Sequence, residues 1–128
     1  MMRTVLLSAI AAMVALGAGP ALAQDADNGA EVFKRCRACH DVGETAKNKV
    51  GPILNGIVGR KAGTIEGFNY SDANKKAGAE GWVWTEEKMM EYLLNPRAAM
   101  PGNKMAYAGL KDEQDRKDLI AYLKKFPK

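Results

Sequence analysis

The sequence predicts an all-α fold in a single small domain, on three observations. Capped segments with helical apolar spacing stand near both ends of the chain and again in its second half. No run alternates apolar and polar residues as a half-buried strand would. The stretch between the first two helical patterns is punctuated by glycine rather than ordered by any period. In chain order, Asp25, Asp27 and Asn28 are N-cap candidates for a first helix running through Ala30, Val32, Phe33 and Arg35 toward Cys36. From Asp41 to Gly67 the glycines at 43, 51, 56, 59, 63 and 67, with Pro52, read as loops wrapped around something. So long an irregular stretch is unusual in a compact domain unless its inner side chains pack on a bound body. Ser71 or Asp72 caps a short helix through Lys76. Thr85 starts another, with Glu86 and Glu87 where the helix dipole favours acids, an apolar face of Met89, Met90, Leu93 and Leu94, and a stop at Asn95-Pro96. Asp112 caps the last helix, whose stripe is Leu119, Ile120 and Leu123 beside Tyr122, with Lys124 and Lys125 at its end. Internal repeats and low-complexity tracts are lacking.

Residues 1–23 read as a secretory signal removed from the working protein. Arg3 gives a positive start, Val5 to Leu16 an apolar run, and Ala21-Leu22-Ala23 an A-x-A cleavage site. The run is too short and too rich in small residues for a membrane-spanning helix, so an uncleaved anchor is the weaker reading. Cleavage after Ala23 leaves residues 24–128 as one domain and takes the net charge from +4 to +3, since only Arg3 is lost. The basic residues form neither a long stripe nor a nucleic-acid-binding motif.

Cys36-Arg37-Ala38-Cys39-His40 is the C-x-x-C-H pattern of covalent c-type haem attachment. Each thiol can add to one haem vinyl group, and the histidine that follows is then placed under the iron as an axial ligand. A thioredoxin-like dithiol normally sits near a βαβ pattern, which is missing. Structural zinc needs four ligands, and the chain has two cysteines and one histidine. A disulfide between the two cysteines would close too short a ring to staple much. Haem c is therefore the expected cofactor, and export fits it, because bacterial haem attachment to cysteine takes place outside the cytoplasmic membrane.

The second axial position separates electron carriers from ligand-binding or catalytic haem proteins. A second histidine is not available. Of the four methionines beyond the signal, Met89 and Met90 lie at helical spacing beside leucines and read as core. Met100, before Pro101, could serve either purpose. Met105 lies in the loop Pro101-Gly102-Asn103-Lys104-Met105, whose glycine lets a backbone approach a flat cofactor.

With these segments assembled, the chain resembles the class I c-type cytochromes, of the bacterial cytochrome c2 and mitochondrial cytochrome c kind. The likeness spans residues 25–128 and is carried by Cys36–His40, Val50–Leu54, Gly56–Lys61, Gly67–Asn74, Trp84-Thr85, Glu91–Leu93, Asn95-Pro96, Pro101–Ala106 and Asp118–Lys125. It implies the small cytochrome c fold, with terminal helices crossing at Gly29, Phe33, Leu119 and Tyr122 and loops wrapped around one covalently attached haem. It implies His40 and Met105 as the axial ligands, settling the choice against Met100. Pro52 matches the proline whose carbonyl accepts the Nδ1–H of the ligand histidine. Arg60, Tyr70 and Trp84 match donors to the haem propionates, and Asn74 and Tyr92 match polar residues on the methionine side. Asn103 stands where the family often has a threonine that hydrogen-bonds a propionate. The segment before Trp84 looks about three residues longer than in the mitochondrial form, and the first helix one residue shorter between Phe33 and Cys36.

The resemblance also implies function: a soluble periplasmic one-electron carrier, monomeric, with no catalytic acid, base or nucleophile. Arg35, Arg37, Lys47, Lys49, Arg97, Lys104 and Lys111 match or neighbour positions that ring the exposed haem edge, where they would steer docking onto acidic partners. Transient contacts with a bc1-type donor and with a terminal oxidase or photosynthetic reaction centre as acceptor are the expectation. Two rivals differ in kind. A haem enzyme or gas-binding protein with a displaceable methionine would take CO when reduced. A permanently docked haem subunit of a larger oxidoreductase would carry a large apolar patch.

Overall fold

The computed structural model describes residues 23–128; the expected signal segment, apart from Ala23, lies outside the described residues. Five helices follow one another: α1 (Ala26–Phe33), α2 (Asp72–Ala79), α3 (Glu86–Leu94), α4 (Pro96–Ala99) and α5 (Glu113–Leu123). Among the described residues the only β pairing is an isolated antiparallel bridge, Lys61 with Val83. No helix among them is long and apolar enough to cross a membrane.

The caps follow the sequence. Asp25 accepts from the backbone N–H groups of Asp27 and Asn28, Ser71 from Asn74, Thr85 from Lys88, and Asp112 from Asp115. Ser71 rather than Asp72 is therefore the cap of α2, which also runs past Lys76 to Ala79. One element differs in kind. Asn95-Pro96 ends α3 but also begins α4, with Asn95 accepting from Ala98 N–H and Pro96 in the first turn, where its missing N–H is no loss. The breaker that stops one helix starts the next.

The core lies where α1 and α5 cross. A Cβ on Gly29 would stand 2.0 Å from the carbonyl oxygen of Asp118, so only glycine allows this approach. Val32, Phe33, Leu119, Ile120 and Leu123 close the crossing, and Met89, Met100 and Leu110 join them. Asp118 is buried in the middle of this apolar contact, 2 % exposed. It accepts from Asp25 N–H at 2.8 Å, Asn28 Nδ2 at 2.7 Å and Gln114 Nε2 at 2.8 Å. A carboxylate on the α5 stripe thus ties the start of α1 to α5 and satisfies its own charge.

Candidate haem site

The C-x-x-C-H segment continues off α1. Cys36 and Arg37 N–H groups donate to Phe33 O, and His40 N–H to Cys36 O at 2.9 Å, so a run of tight turns holds all three side chains. Cys36 and Cys39 are unbridged thiols, and burial pushes the Cys36 thiol up from its ordinary pKa. Among the described residues no three His, Cys, Asp or Glu side chains converge on a metal-sized site.

His40 is oriented by the loop opposite. Its Nδ1 lies 2.7 Å from the carbonyl oxygen of Pro52, which fixes Nδ1 as the protonated nitrogen and leaves Nε2 with its lone pair. Burial, above all, lowers the pKa of His40, keeping the ring neutral as a ligand must be. Gly51 presses on the same ring: a Cβ there would sit 2.4 Å from Cε1. In sequence Gly51 is one loop glycine among several, and this contact is the reason the position takes no side chain.

Arg60, Tyr70, Trp84 and Tyr92 are all buried and close together. Arg60 and Trp84 are joined through their backbones at 2.8 Å, and the Trp84 and Tyr92 rings meet edge-on at 4.8 Å. Arg60 gives Nη1 to the carbonyls of Ile53 and Asn55, yet its Nε has no partner and no described ion pair includes it. Burial lowers its pKa. A buried cation without a counter-charge is costly, so this pocket is built for an anion. Tyr70 accepts Ile65 N–H at 2.9 Å and retains its own proton for donation. Buried Asn74 Oδ1 also has no partner.

On the other side, Tyr92 donates to the Met105 sulfur at 3.9 Å. Its pKa is pushed up to about 12 by burial, so the hydroxyl stays protonated over the physiological range. Met100 is 3 % exposed in the core, whereas Met105 is only partly buried. The residues present fit haem: two free thiols, an oriented imidazole, a thioether and a buried cation suited to a propionate. Asn103 is the exception among the expected contacts. Both its amide hydrogens are committed to backbone carbonyls of Pro96 and Met100, so no donor is left for a propionate.

The profile of the Cytochrome c family matches residues 26–127. The chain belongs to the cytochrome c family. Among its relatives are cytochrome c2 of Blastochloris viridis, 57 % identical over 114 residues, covering 89 % of this chain and 87 % of that one. Cytochrome c-550 of Ancylobacter novellus is 62 % identical over 98 residues, covering 77 % and 92 %. The structure of cytochrome c2 from Rhodospirillum centenum superposes with a TM-score of 0.77 at 46 % identity, covering 81 % of this chain and 99 % of that one. Like other cytochromes of this family, the protein carries one covalently bound haem c and is an electron-transfer protein, not an enzyme.

The seven cations expected at the haem edge are all exposed. None takes part in a described ion pair; those pairs use Lys34, Lys76, Lys88, Lys117 and Lys124 instead. Lys49 Nζ donates to Arg37 O and Lys104 Nζ to Asn69 O, so these two lysines rest on backbone carbonyls with their charge unneutralised by a described ion pair. Tyr107, overlooked in the sequence, packs on the core two residues beyond Met105; burial raises its pKa against the opposing pull of Arg35.

Proposed function

We propose that this cytochrome is a soluble periplasmic one-electron carrier with His40 and Met105 as the axial ligands of its haem iron. Residues 1–23 would direct export and be removed, leaving residues 24–128 as the working domain. Haem c supplies the chemistry when bound: one electron enters or leaves its iron. The chain's own residues set the terms. The observation that supports the reading is the pair of oriented side chains, His40 with Nδ1 held by Pro52 and Met105 with its sulfur held by Tyr92. Both positions are filled from the chain, so no group need bind or leave during turnover and reorganisation stays small. The neutral thioether favours ferrous iron and raises the potential. Arg60, Tyr70 and Trp84 hold the propionates, and Asn74 lies on the methionine side with Tyr92.

Partner choice is electrostatic. Arg35, Arg37, Lys47, Lys49, Arg97, Lys104 and Lys111 present an unpaired positive rim to the acidic faces of membrane redox complexes. A bc1-type complex is the proposed donor, and a terminal oxidase or photosynthetic reaction centre the acceptor. Interfaces of this kind are small and transient, and salt weakens the steering.

The deciding experiment is the visible spectrum of the ferric protein, read for the weak red band of methionine sulfur on iron, in the native chain and in Met105→Ala. A band present in the first and absent in the second supports the reading. Its absence from the native protein, with ready CO binding to the reduced form, would overturn it.

A further inference from the structure

The loop that carries Met105 makes almost no backbone hydrogen bonds of its own. From Lys104 to Gly109 no backbone N–H reaches a backbone carbonyl. One side chain compensates. Asn103 Nδ2 donates to Pro96 O at 2.9 Å and to Met100 O at 2.7 Å, and its Oδ1 accepts the Met105 backbone N–H at 2.8 Å. The Asn103 backbone N–H adds a bond to Met100 O at 3.2 Å. Three of the four hydrogen bonds an asparagine amide can make are formed, and every donor is used.

The anchor is firm. Pro96 is among the most fully buried residues, and Met100 is 3 % exposed. The Asn103 amide therefore joins the first residue and the C-cap of α4, both seated in the core, to the backbone of the residue whose sulfur is needed at the iron. The local geometry is an Asx turn, the side-chain oxygen bonding two residues on. A threonine here could accept from Met105 N–H but has one proton and could reach only one of the two carbonyls.

We propose that Asn103 is a positioning residue for Met105, holding the thioether at its place against competing ligands, and not a propionate donor. The inference rests on the reading that Met105 is the sixth ligand. A neutral thioether is readily replaced when its loop can swing away. What resists that swing here is chiefly one amide bonded at both ends and the Tyr92 hydroxyl on the sulfur, with a longer contact from Lys104 Nζ to Asn69 O beside them.

The test is imidazole titration of the ferric protein with its haem attached, followed by loss of the methionine-sulfur band. Asn103→Leu should bind imidazole about tenfold more tightly than the native protein, which corresponds to the loss of one net hydrogen bond. Asn103→Ser keeps an acceptor for Met105 N–H and should fall between the two; it also serves if the leucine variant does not fold. The pH dependence of the reduction potential should be unchanged in both, since a propionate donor, but not a loop anchor, would alter propionate titration. Unchanged imidazole affinity in the variants overturns the proposal, whether or not their resistance to denaturant falls. So does a shifted pH profile at unchanged imidazole affinity. A native protein without the band refutes Met105 ligation itself, a separate result.

Discussion

Replacing Gly51 with alanine probes the histidine side of the haem site at its tightest contact. The added Cβ would stand 2.4 Å from Cε1, 2.7 Å from Nδ1 and 2.8 Å from Nε2 of His40. Three ring atoms at once are met, so the contact lies against the ring face and rotation in the ring plane gives no relief. Ordinary carbon contacts begin near ~3.5 Å, so ring and loop must separate by about 1 Å. Both sides are pinned. Gly51 N–H donates to Cys39 O at 2.8 Å, Lys49 N–H donates to Gly51 O at 2.9 Å, and Pro52 O holds Nδ1 at 2.7 Å. A shift of that size stretches at least one of these bonds past its useful range. Overpacking of about 1–3 kcal/mol plus about 1 kcal/mol for the bond gives a loss of about 3 kcal/mol. With a slope of about 4 kcal/mol/M, the guanidinium chloride midpoint of the ferric protein should fall by about 0.7 M. A weakened Pro52 bond also makes His40 a poorer donor to the iron, so the potential should rise. A midpoint within about 0.2 M of the native value, with an unchanged potential, would refute the reasoning.

Asp118→Asn should lower stability by about 1–3 kcal/mol at neutral pH, because an amide cannot accept from Asp25, Asn28 and Gln114 together. Burial raises the Asp118 pKa, but those three hydrogen bonds outweigh it and hold the carboxyl below the usual range. Its stabilisation is therefore full above the unfolded value of about 3.9 and is lost as pH falls through the folded one, so the gap between native and variant should narrow in urea melts at low pH; an equal gap at all pH values would contradict this. Tyr92→Phe removes the hydroxyl from the Met105 sulfur, making the thioether a better donor to ferric iron. Voltammetry should show a lower potential, and an unchanged one would separate Tyr92 from the ligand. Neutralising Lys49 and Lys104 together should slow reduction by an acidic partner at low salt and flatten the salt dependence in stopped-flow; the same rate and slope as the native protein would remove the docking proposal.

Helices were legible because their signals are local. Asp25, Ser71, Thr85 and Asp112 cap through atoms two or three residues away, and the α5 stripe is visible in the spacing of Leu119, Ile120 and Leu123. The haem pentapeptide was legible because its chemistry fixes residue types at fixed spacing. What escaped depends on contacts between distant segments. Asp118 looks like an ordinary helix acid until α1 arrives with two donors to add to that of Gln114, although its place beside Leu119 and Ile120 is a hint. Gly51 looks like any loop glycine until the His40 ring is set against it. Asn95-Pro96 signals a stop in sequence, yet the same asparagine and proline also open a helix. Asn103 stands where the resemblance offers a propionate contact without settling whether asparagine makes it, and the structure turns its amide inward to the backbone.

The two faces of the haem site are built by different means, and that difference bears on function. His40 extends from α1 through backbone bonds and is clamped by Gly51 and Pro52, so its position follows from the main chain of two segments. Met105 lies on a loop held by side chains: Asn103 on its backbone and Tyr92 on its sulfur. Main-chain geometry tolerates few single substitutions without general damage, whereas side-chain anchors can be changed one at a time. The same loop carries Lys104, which is exposed, and Tyr107, which lies near Arg35. On the proposed reading, retention of the methionine therefore depends on side-chain anchors at Asn103 and Tyr92, whereas the histidine side is set by main-chain contacts.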